Sequence, residues 1–325
     1  MKYKRLTNKE EIHQGIDLWN SYFSSFDIEH RLVEQNIFAP YAGVNVVGWG
    51  GYRDDKLVAF GLVKYLSHPV EDYTDGSLGW ISLLVLDEDA GYWNQTFQNM
   101  MDRMEKELTD RGVTKIRFGG DPQNFLPGLP QEMKDMYLGS FKSRDYREKG
   151  VVYDLYRDIS DFKIHQRVRE LKDEYQTDLK ARPVVKDEEE VLLQFLANNF
   201  SGRWLYEADN IRRVPGGIED YWLLWLKDKP IGFVRINRVD STYLGPNVNW
   251  GRRWGKFYCG LGPLGIDKSY RGQSFGLYLQ SMVIDYLREE GYQHMIIDWT
   301  TLLDYYKKLG FAPCNKYNNL IKEID

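Results

Sequence analysis

The stretch DKSYRGQSFGLYLQ, residues 267–280, places two glycines, Gly272 and Gly276, after a lone arginine, Arg271, and then becomes an apolar, helix-like run. An apolar strand, CGLGPLGI (259–266), leads into it. Glycine adopts backbone conformations that other residues avoid, so several N–H groups can point at one spot, and a helix start adds a positive dipole end. This arrangement suits a phosphate or pyrophosphate, with Arg271 complementing its charge. On the glycines alone, an ordinary strand-to-helix turn is the more frequent explanation, because short glycine patterns are common.

Length and composition limit the kind of protein to which this loop belongs. The chain has 325 residues, 42% of them hydrophobic, which is enough for two ordinary domains with separate cores. Its net charge of -5 gives no general attraction for nucleic acid or anionic lipid, and no local basic patch is evident. The N-terminus lacks the apolar core of a secretory signal, and no run approaches the roughly 20 apolar residues of a membrane helix. We expect a cytoplasmic protein that binds neither nucleic acid nor membrane.

Metal and disulfide chemistry have little support in the sequence. The cysteines, Cys259 and Cys314, are far apart and outside any CxxC pattern, and the five histidines are scattered. We therefore expect neither a disulfide framework nor a metal site.

The chain repeats itself at long range. YKRLTNKEE near the start and ARPVVKDEE about 180 residues later share an order of extended segment, polar corner and acidic helix start. The apolar strands GWISLLVL (79–86) and CGLGPLGI (259–266) are each followed by a loop and an amphipathic helix. Those helices stop at Gly112 and Gly291, before a new strand. An offset of this length is typical of a duplicated domain and too long for a solenoid.

The duplication predicts two domains. VVYDLYRDI is predicted to close the first domain, residues 1–160, and the charged segment 161–177 is predicted to be a linker helix. The second domain then covers residues 178–325. Its strands alternate with helices, including one over 275–290 that has an apolar face, which predicts a mixed α/β sheet.

Two motifs in the second copy resemble the GCN5-related N-acetyltransferase (GNAT) family. The family's loop signature is R/Q-x-x-G-x-G/A on a strand-loop-helix unit; Arg271 and Gly276 match it, and Gly272 matches the commoner RGxGxG form. Ser274 stands where glycine is usual, and a serine in a left-handed conformation costs about 1–2 kcal/mol. The segment YYKKLGF matches the second motif, YxKLGF, with Tyr306 at the tyrosine position. The two motifs occur in the family's order and spacing.

These motifs cover about residues 255–315, while the remaining sequence matches only in layout. The resemblance implies two tandem acyl-CoA N-acyltransferase folds, of which the first is degenerate, as in mycothiol synthase, which is similar in layout. Where the second copy has YRGQSFG, the first has DAGYWNQTF, without arginine. We expect only the second copy to bind CoA, and the first to have a structural role or to shape the acceptor pocket.

The implied activity is direct transfer of an acetyl group from acetyl-CoA to the amine of a small-molecule acceptor, in a monomer or homodimer. By resemblance, the strands separate at Gly265–Ile266 and Asp298–Trp299, and the pantetheine arm lies in the gap. The implied cofactor-binding residues are Leu264, Gly265, Ile266, Arg271, Gly272, Gln273, Ser274, Phe275 and Gly276.

Tyr306 is the predicted proton donor to the departing thiolate. The base is open, because the strand CGLGPLGI carries no carboxylate. Asp298, at the end of the next strand, is the principal candidate, and Glu207 and Asp209 in WLYEADN are others. Each of these is more often a cap or a solvated loop residue. A water chain is a further alternative, because proximity alone accounts for much of the rate in such transfers.

The acceptor is also open. The loop DSTYLGPNVNWGRRWGKFY carries Trp250, Arg252, Arg253 and Trp254 and has the length of a lid. Arginines facing the pocket favour an acceptor with a carboxylate or phosphate, whereas the acidic YEADN facing it favours a polyamine or aminoglycoside. Two other functions fit the same fold: a non-catalytic acyl-CoA-binding or regulatory protein, and a Fem-type aminoacyl transferase, which needs a basic tRNA surface.

Overall fold

The computed structural model describes residues 1–87, 92–246 and 251–324, with only the backbone of residues 251 and 252. They form two compact units. Unit 1 comprises Met1–Val152 and Asn315–Asp325, and unit 2 comprises Tyr153–Cys314. No helix in these ranges is long and apolar enough to cross a membrane.

Unit 1 consists of a sheet and helices. Helices and strands are numbered in chain order. Its helices are α1 (Lys9–Tyr22), α2 (His30–Val33, continued by a π-helical turn Glu34–Phe38), α3 (Trp93–Thr109) and α4 (Lys134–Lys142). The sheet order is β1 (Lys2–Leu6), β2 (Val44–Arg53), β3 (Lys56–Leu66), β4 (Leu78–Leu86), β5 (Lys115–Phe118) and β13 (Ala312–Glu323), and β6 (Leu129–Pro130) pairs with β13.

Unit 2 has a sheet of the same kind. Its helices are α5 (Gln166–Tyr175), α6 (Glu189–Asn199), α7 (Arg203–Ile211), α8 (Gly251–Trp254), α9 (Phe275–Glu289) and α10 (Leu303–Lys307). The sheet order is β7 (Arg147–Asp158), β12 (His294–Thr300), β11 (Tyr258–Ile266), β10 (Lys229–Arg238), β9 (Tyr221–Leu226) and β8 (Leu179–Pro183).

The two sheets share one plan. Neighbouring strands of unit 1 are antiparallel except β4 and β5, and neighbouring strands of unit 2 are antiparallel except β11 and β12. A helix joins the parallel strands in both cases, α3 in unit 1 and α9 in unit 2. The predicted duplication and the predicted mixed α/β sheet are confirmed.

Each unit is closed by a strand from a distant part of the chain. Residues 153–158 of β7 belong to unit 2, where they pair with β12, and residues 315–323 of β13 belong to unit 1, where the strand pairs with β5. The predicted domains, 1–160 and 178–325, follow chain order. They therefore place residues 153–158 in the first domain and residues 315–323 in the second.

The segment 161–177, predicted as a linker, contains α5. Val168 and Leu171 of this helix are buried in the core of unit 2, together with Phe162 just before it. The segment is therefore part of the core of unit 2.

Helices cover both faces of the sheet in unit 2. The predicted apolar face of α9 is confirmed, since Phe275, Leu279 and Val283 are buried in one core with Val234 of β10. The neighbouring residue, Phe233, points to the other face because side chains alternate along a strand. There it packs edge-on or tilted against aromatic rings of α6, α7 and their connection, namely Phe195, Phe200 and Trp204.

In unit 1, a loop covers part of the sheet. Residues 119–128, between β5 and β6, are buried throughout. Lys64 of β3 donates from Nζ to Asp121 Oδ1 in this loop at 2.8 Å, and both side chains are fully buried. Asn36 donates to the carbonyl oxygen of Gln123 at 2.7 Å. An ion pair and a hydrogen bond thus hold the loop in place. The buried charges need this pairing because an unpaired buried charge is costly.

We expect residues 153–314 to fold as a fragment and residues 178–325 not to. The second fragment lacks five buried core residues, Leu155, Ile159, Phe162, Val168 and Leu171. Truncating one buried aliphatic side chain costs about 2–5 kcal/mol, and a whole domain is stable by only about 5–15 kcal/mol. Far-UV circular dichroism should show a cooperative thermal transition for 153–314 only. Equal transitions for both fragments would contradict the strand assignment.

Candidate active site

The parallel strands β11 and β12 separate part-way along their length. They pair from Tyr258–Gly260 to His294–Ile296, and no pairing is described between them beyond that point. Past it, otherwise buried strands have partly exposed residues: Gly262, Pro263, Leu264, Asp298 and Trp299. The strands separate as predicted, but the separation begins earlier along both strands. It leaves a gap that solvent reaches.

Two β-bulges border the gap. On β11, Gly262 and Pro263 stand opposite the single residue Arg235 of β10. On β12, Asp298 and Trp299 stand opposite a single residue of β7. A bulge bends its strand and re-aims its side chains, which explains how the strands part without breaking the sheet on either side.

The loop before α9 has a left-handed backbone at one of the two glycines of the pattern, Gly272, whereas Gly276 lies within α9. Gly272 and Ser274 both have left-handed backbones, with φ of +80° and 67°. No side chain caps the first turn of α9. Such alternation turns consecutive N–H groups toward one side and forms an anion-binding concavity. Ser274 therefore bears the left-handed strain that the family pattern usually gives to glycine.

Arg271 anchors this loop. Its Nε donates to the carbonyl oxygen of Ile266 at 2.9 Å, and its guanidinium lies 5.8 Å from the centre of the Phe200 ring. The arginine therefore fixes the loop on the end of β11, a role that the sequence did not indicate. Gln273 is exposed, and Phe275 is buried in the α9 core, so the side chain of Phe275 points away from the loop.

Gly276 lies against Tyr305 in this structure. A methyl group at this position would lie 2.7 Å from the hydroxyl oxygen of Tyr305. That hydroxyl accepts a hydrogen bond from Gln280 Nε2 at 2.9 Å, and burial raises the pKa of Tyr305 to about 12. In this structure the absence of a side chain at Gly276 makes room for a tyrosine.

Asp298 lies on the α7 face of the sheet, because the preceding Ile297 belongs to the α9 core. Burial raises the pKa of Asp298 to about 7, and the carboxylate of Asp154 adds to the effect. Arg203 of α7 acts in the opposite direction, and Glu207 of the same helix raises the pKa further. The ordinary value is 3.8, so this carboxyl titrates near neutral pH.

Helix α7 contributes a charged and aromatic group to the site. The Arg203 side chain pairs with Glu207 and lies 4.3 Å from the centre of the Trp299 ring. WLYEADN is thus part of a helix. Asp209 faces elsewhere, since it pairs with Arg212 and Arg213 of its own helical segment.

Tyr306 approaches from the opposite face. It is buried in the α9 core, with its ring edge-on to Tyr305 at 5.1 Å and to Phe311 at 6.2 Å between centres. Burial raises the pKa of Tyr306, and the charges of Tyr305 and Asp298 raise it further. The charge of one predicted catalytic residue, Asp298, therefore acts on the other, Tyr306.

The long loop before β11 folds over the α7 face. Tyr243 and Leu244 are buried, and Arg235 donates to the carbonyl oxygen of Tyr243 at 2.6 Å. Trp254 stacks on Tyr156 at 4.2 Å between ring centres. Arg253 lies against the ring of Trp254, while Trp250 and the side chain of Arg252 lie outside the described residues.

A family model decides the affiliation of this unit. The model of the acetyltransferase (GNAT) family matches residues 152–311, which is nearly the whole of unit 2. Unit 2 belongs to the GNAT family. No curated protein matches the chain.

Solved structures extend the GNAT fold to the whole chain. A glucosamine N-acetyltransferase region of a fungal multi-domain β-N-acetylglucosaminidase has a TM-score of 0.86 at 18% identity over 99% of this chain, which spans 38% of that protein. A tandem GNAT protein from the clavulanic acid pathway has a TM-score of 0.66 at 12% identity, covering 99% of this chain and 98% of its own. A GNAT protein from Sphaerobacter thermophilus gives 0.66 at 13%, covering 99% and 95%. The chain therefore contains two tandem GNAT folds.

The contact between Gly276 and Tyr305 predicts an energetic coupling. Gly276→Ala should destabilise the protein by about 1 kcal/mol, because the new methyl group crowds the Tyr305 hydroxyl. In the double variant with Tyr305→Phe the crowding oxygen is gone, and the helix-favouring alanine should instead be neutral or stabilising. Urea unfolding of the four proteins in this cycle measures the coupling. Additive effects would show that the glycine serves another purpose.

Proposed function

We propose that this protein is an N-acetyltransferase, in which unit 2 transfers an acetyl group from acetyl-CoA to the amine of a small-molecule acceptor. The observation that carries the proposal is the gap between β11 and β12, with Asp298 on its α7 face and Tyr306 on its α9 face. Direct transfer to an amine needs a base on the acceptor side and a proton for the departing thiolate. Membership of unit 2 in the GNAT family supports acyl-CoA as the donor.

The residues before α9 fit the pyrophosphate of CoA. Gly272 and Ser274 turn successive N–H groups toward one side, and the uncapped first turn of α9 adds its positive end. CoA, when bound, supplies the activated acetyl group and a thiol leaving group. The exposed segment Gly262–Leu264 of β11 borders the space in which the pantetheine arm would lie.

Asp298 serves as the base. A pKa of about 7 makes its carboxylate strong enough to take a proton from an acceptor ammonium and keeps it partly ionised at neutral pH. The amine nitrogen, freed of that proton, forms the new bond to the acetyl carbon as the carbon–sulfur bond breaks, and the nitrogen loses its second proton to solvent as the amide forms. A tyrosine is protonated at neutral pH, and the raised pKa of Tyr306 keeps it so. Its hydroxyl gives that proton to the departing sulfur and recovers one from solvent.

The acceptor is a cationic amine, and an amino sugar is the first to test. Asp154 and Glu207 raise the pKa of Asp298 and Arg203 lowers it, so carboxyl groups outnumber cations among the groups that act on Asp298. This balance favours an acceptor that arrives as an ammonium ion. The structurally similar fungal region is described as a glucosamine N-acetyltransferase, which supports the amino-sugar class.

Unit 1 is proposed to have a structural role and to bind no CoA. Its loop 119–128 is buried against β3 through the ion pair of Lys64 and Asp121. The segment that corresponds in position to the CoA loop, residues 88–91, lies outside the described residues.

Tyr306→Phe should lower kcat by about 10²–10⁴-fold while the Kd for CoA stays unchanged, because it removes only the donated proton. Tyr305→Phe is the matched control, since adjacent helical side chains point about 100° apart and its hydroxyl is bonded to Gln280. Thiol release from acetyl-CoA, with an amine panel that includes glucosamine, gives kcat.

Isothermal calorimetry in the same variants gives the CoA affinity and should show one site per chain. Equal, small losses of kcat at Tyr305 and Tyr306 would reject the general acid. CoA binding without thiol release for any amine would instead identify a non-catalytic acyl-CoA-binding protein.

A further inference from the structure

Asp154 is a buried acid in an apolar strand. It lies on β7 next to Leu155, which is part of the α9 core, so the two side chains face opposite sides of the sheet. Only 1% of Asp154 is exposed. A carboxylate is rarely buried to this degree unless it is paired.

One partner of Asp154 is the bulge that carries Asp298. Ile297 pairs with Leu155 and Thr300 with Tyr153, so Asp154 alone stands opposite Asp298 and Trp299. The Oδ1 atom of Asp154 accepts a hydrogen bond from the backbone N–H of Trp299 at 3.2 Å. Trp299 has a left-handed φ of 46°, which is uncommon for a bulky residue and needs support from its surroundings.

The second effect of Asp154 is electrostatic. The charge of Asp154 raises the pKa of Asp298. The burial of Asp298 itself raises that pKa more. The other groups that act on Asp298 come from separate elements: Arg203 and Glu207 of α7, and its own backbone. Asp298 in turn acts on Tyr258 of β11 and on Tyr306 of α10.

We propose that Asp154 is a positioning residue, which holds the bulge of β12 through the Trp299 N–H and thereby aims Asp298 into the gap between β11 and β12. The inference rests on the proposed acetyl transfer, in which Asp298 is the base. As a second consequence, the negative charge of Asp154 adds to the effect of burial in raising the pKa of Asp298. Asp154 belongs to the strand that closes the sheet of unit 2, so the site includes a residue from the segment predicted to end the first domain.

Asp154→Asn separates the charge of the side chain from its hydrogen bond. The amide oxygen still accepts the Trp299 N–H, while the negative charge is lost. Only ionised Asp298 takes a proton, so kcat/KM should rise with pH through the pKa of Asp298. Without the nearby like charge that pKa falls, and the acidic limb of the profile should move to lower pH by on the order of one unit.

Two further variants are matched to this one. Asp154→Glu keeps the charge but displaces the oxygen, so the limb should stay near its original pH while kcat falls. Arg203→Gln removes the opposing positive charge, so the limb should move to higher pH. A limb that stays in place in Asp154→Asn, or that moves equally in Asp154→Asn and Asp154→Glu, overturns the inference.

A carbon-13 NMR titration of the Asp298 carboxyl reads the same shifts without turnover. The titration midpoint should fall in Asp154→Asn relative to the unmodified protein, whatever reaction the protein catalyses, and an unmoved midpoint overturns the inference. Asp298→Asn tests the proposed function separately. If this variant keeps the full rate of thiol release, Asp298 is not the base, and the proposed mechanism fails while the titration still decides whether Asp154 acts on Asp298.

Discussion

The parting of two parallel strands in the middle of a sheet is the constraint on which the rest of unit 2 depends. Strands β11 and β12 pair over three residues each and then separate. Backbone groups that leave a ladder need new partners, and strands that leave it need their outer neighbours to hold them. One such group, the Trp299 N–H, donates to Asp154, and the ladders with β10 and β7 resume past the bulges. The neighbouring strands β10 and β7 therefore hold the gap from both sides.

The same separation explains why acid and base chemistry meet there. A residue on one strand of an intact sheet reaches only one face. Asp298 lies beside the gap on the α7 face and Tyr306 lies in the α9 core, and the charge of Asp298 raises the pKa of Tyr306. Both have raised pKa values, one near neutral pH and one above its ordinary range. A carboxyl that can take a proton and a phenol that keeps one are thus placed on opposite sides of one space.

Sequence reasoning found the parts of this site that local motifs encode. The loop at Arg271 and Gly272 and the tyrosine of YYKKLGF follow from short patterns, and the sheet plan follows from period and repeat. Asp154 was missed because an acid in an alternating strand looks like an outward-facing residue until the pairing partner is known. The closing strands were assigned in chain order because pairing between distant segments leaves no local signal. Helix α7 is short and follows Gly202 directly, so its sequence resembles a loop.

Gly276 shows a subtler limit. The motif marks Gly276, and in the structure the space beside it is filled by Tyr305, from a helix about 30 residues later. Motif matching identifies which residue is constrained, while the constraint itself comes from tertiary packing. The distinction matters for Gly272 as well, where a side chain would meet open space and only the left-handed backbone restricts the residue.

A crystal structure of the protein with acetyl-CoA tests the central claim most directly. The account predicts the thioester in the gap between Leu261–Ile266 of β11 and Asp298–Thr300 of β12, with the pyrophosphate against the backbone of 272–276. The carboxylate of Asp298 and the hydroxyl of Tyr306 should then lie on opposite sides of the thioester. A thioester bound outside the gap, or one with both groups on the same side, would contradict it.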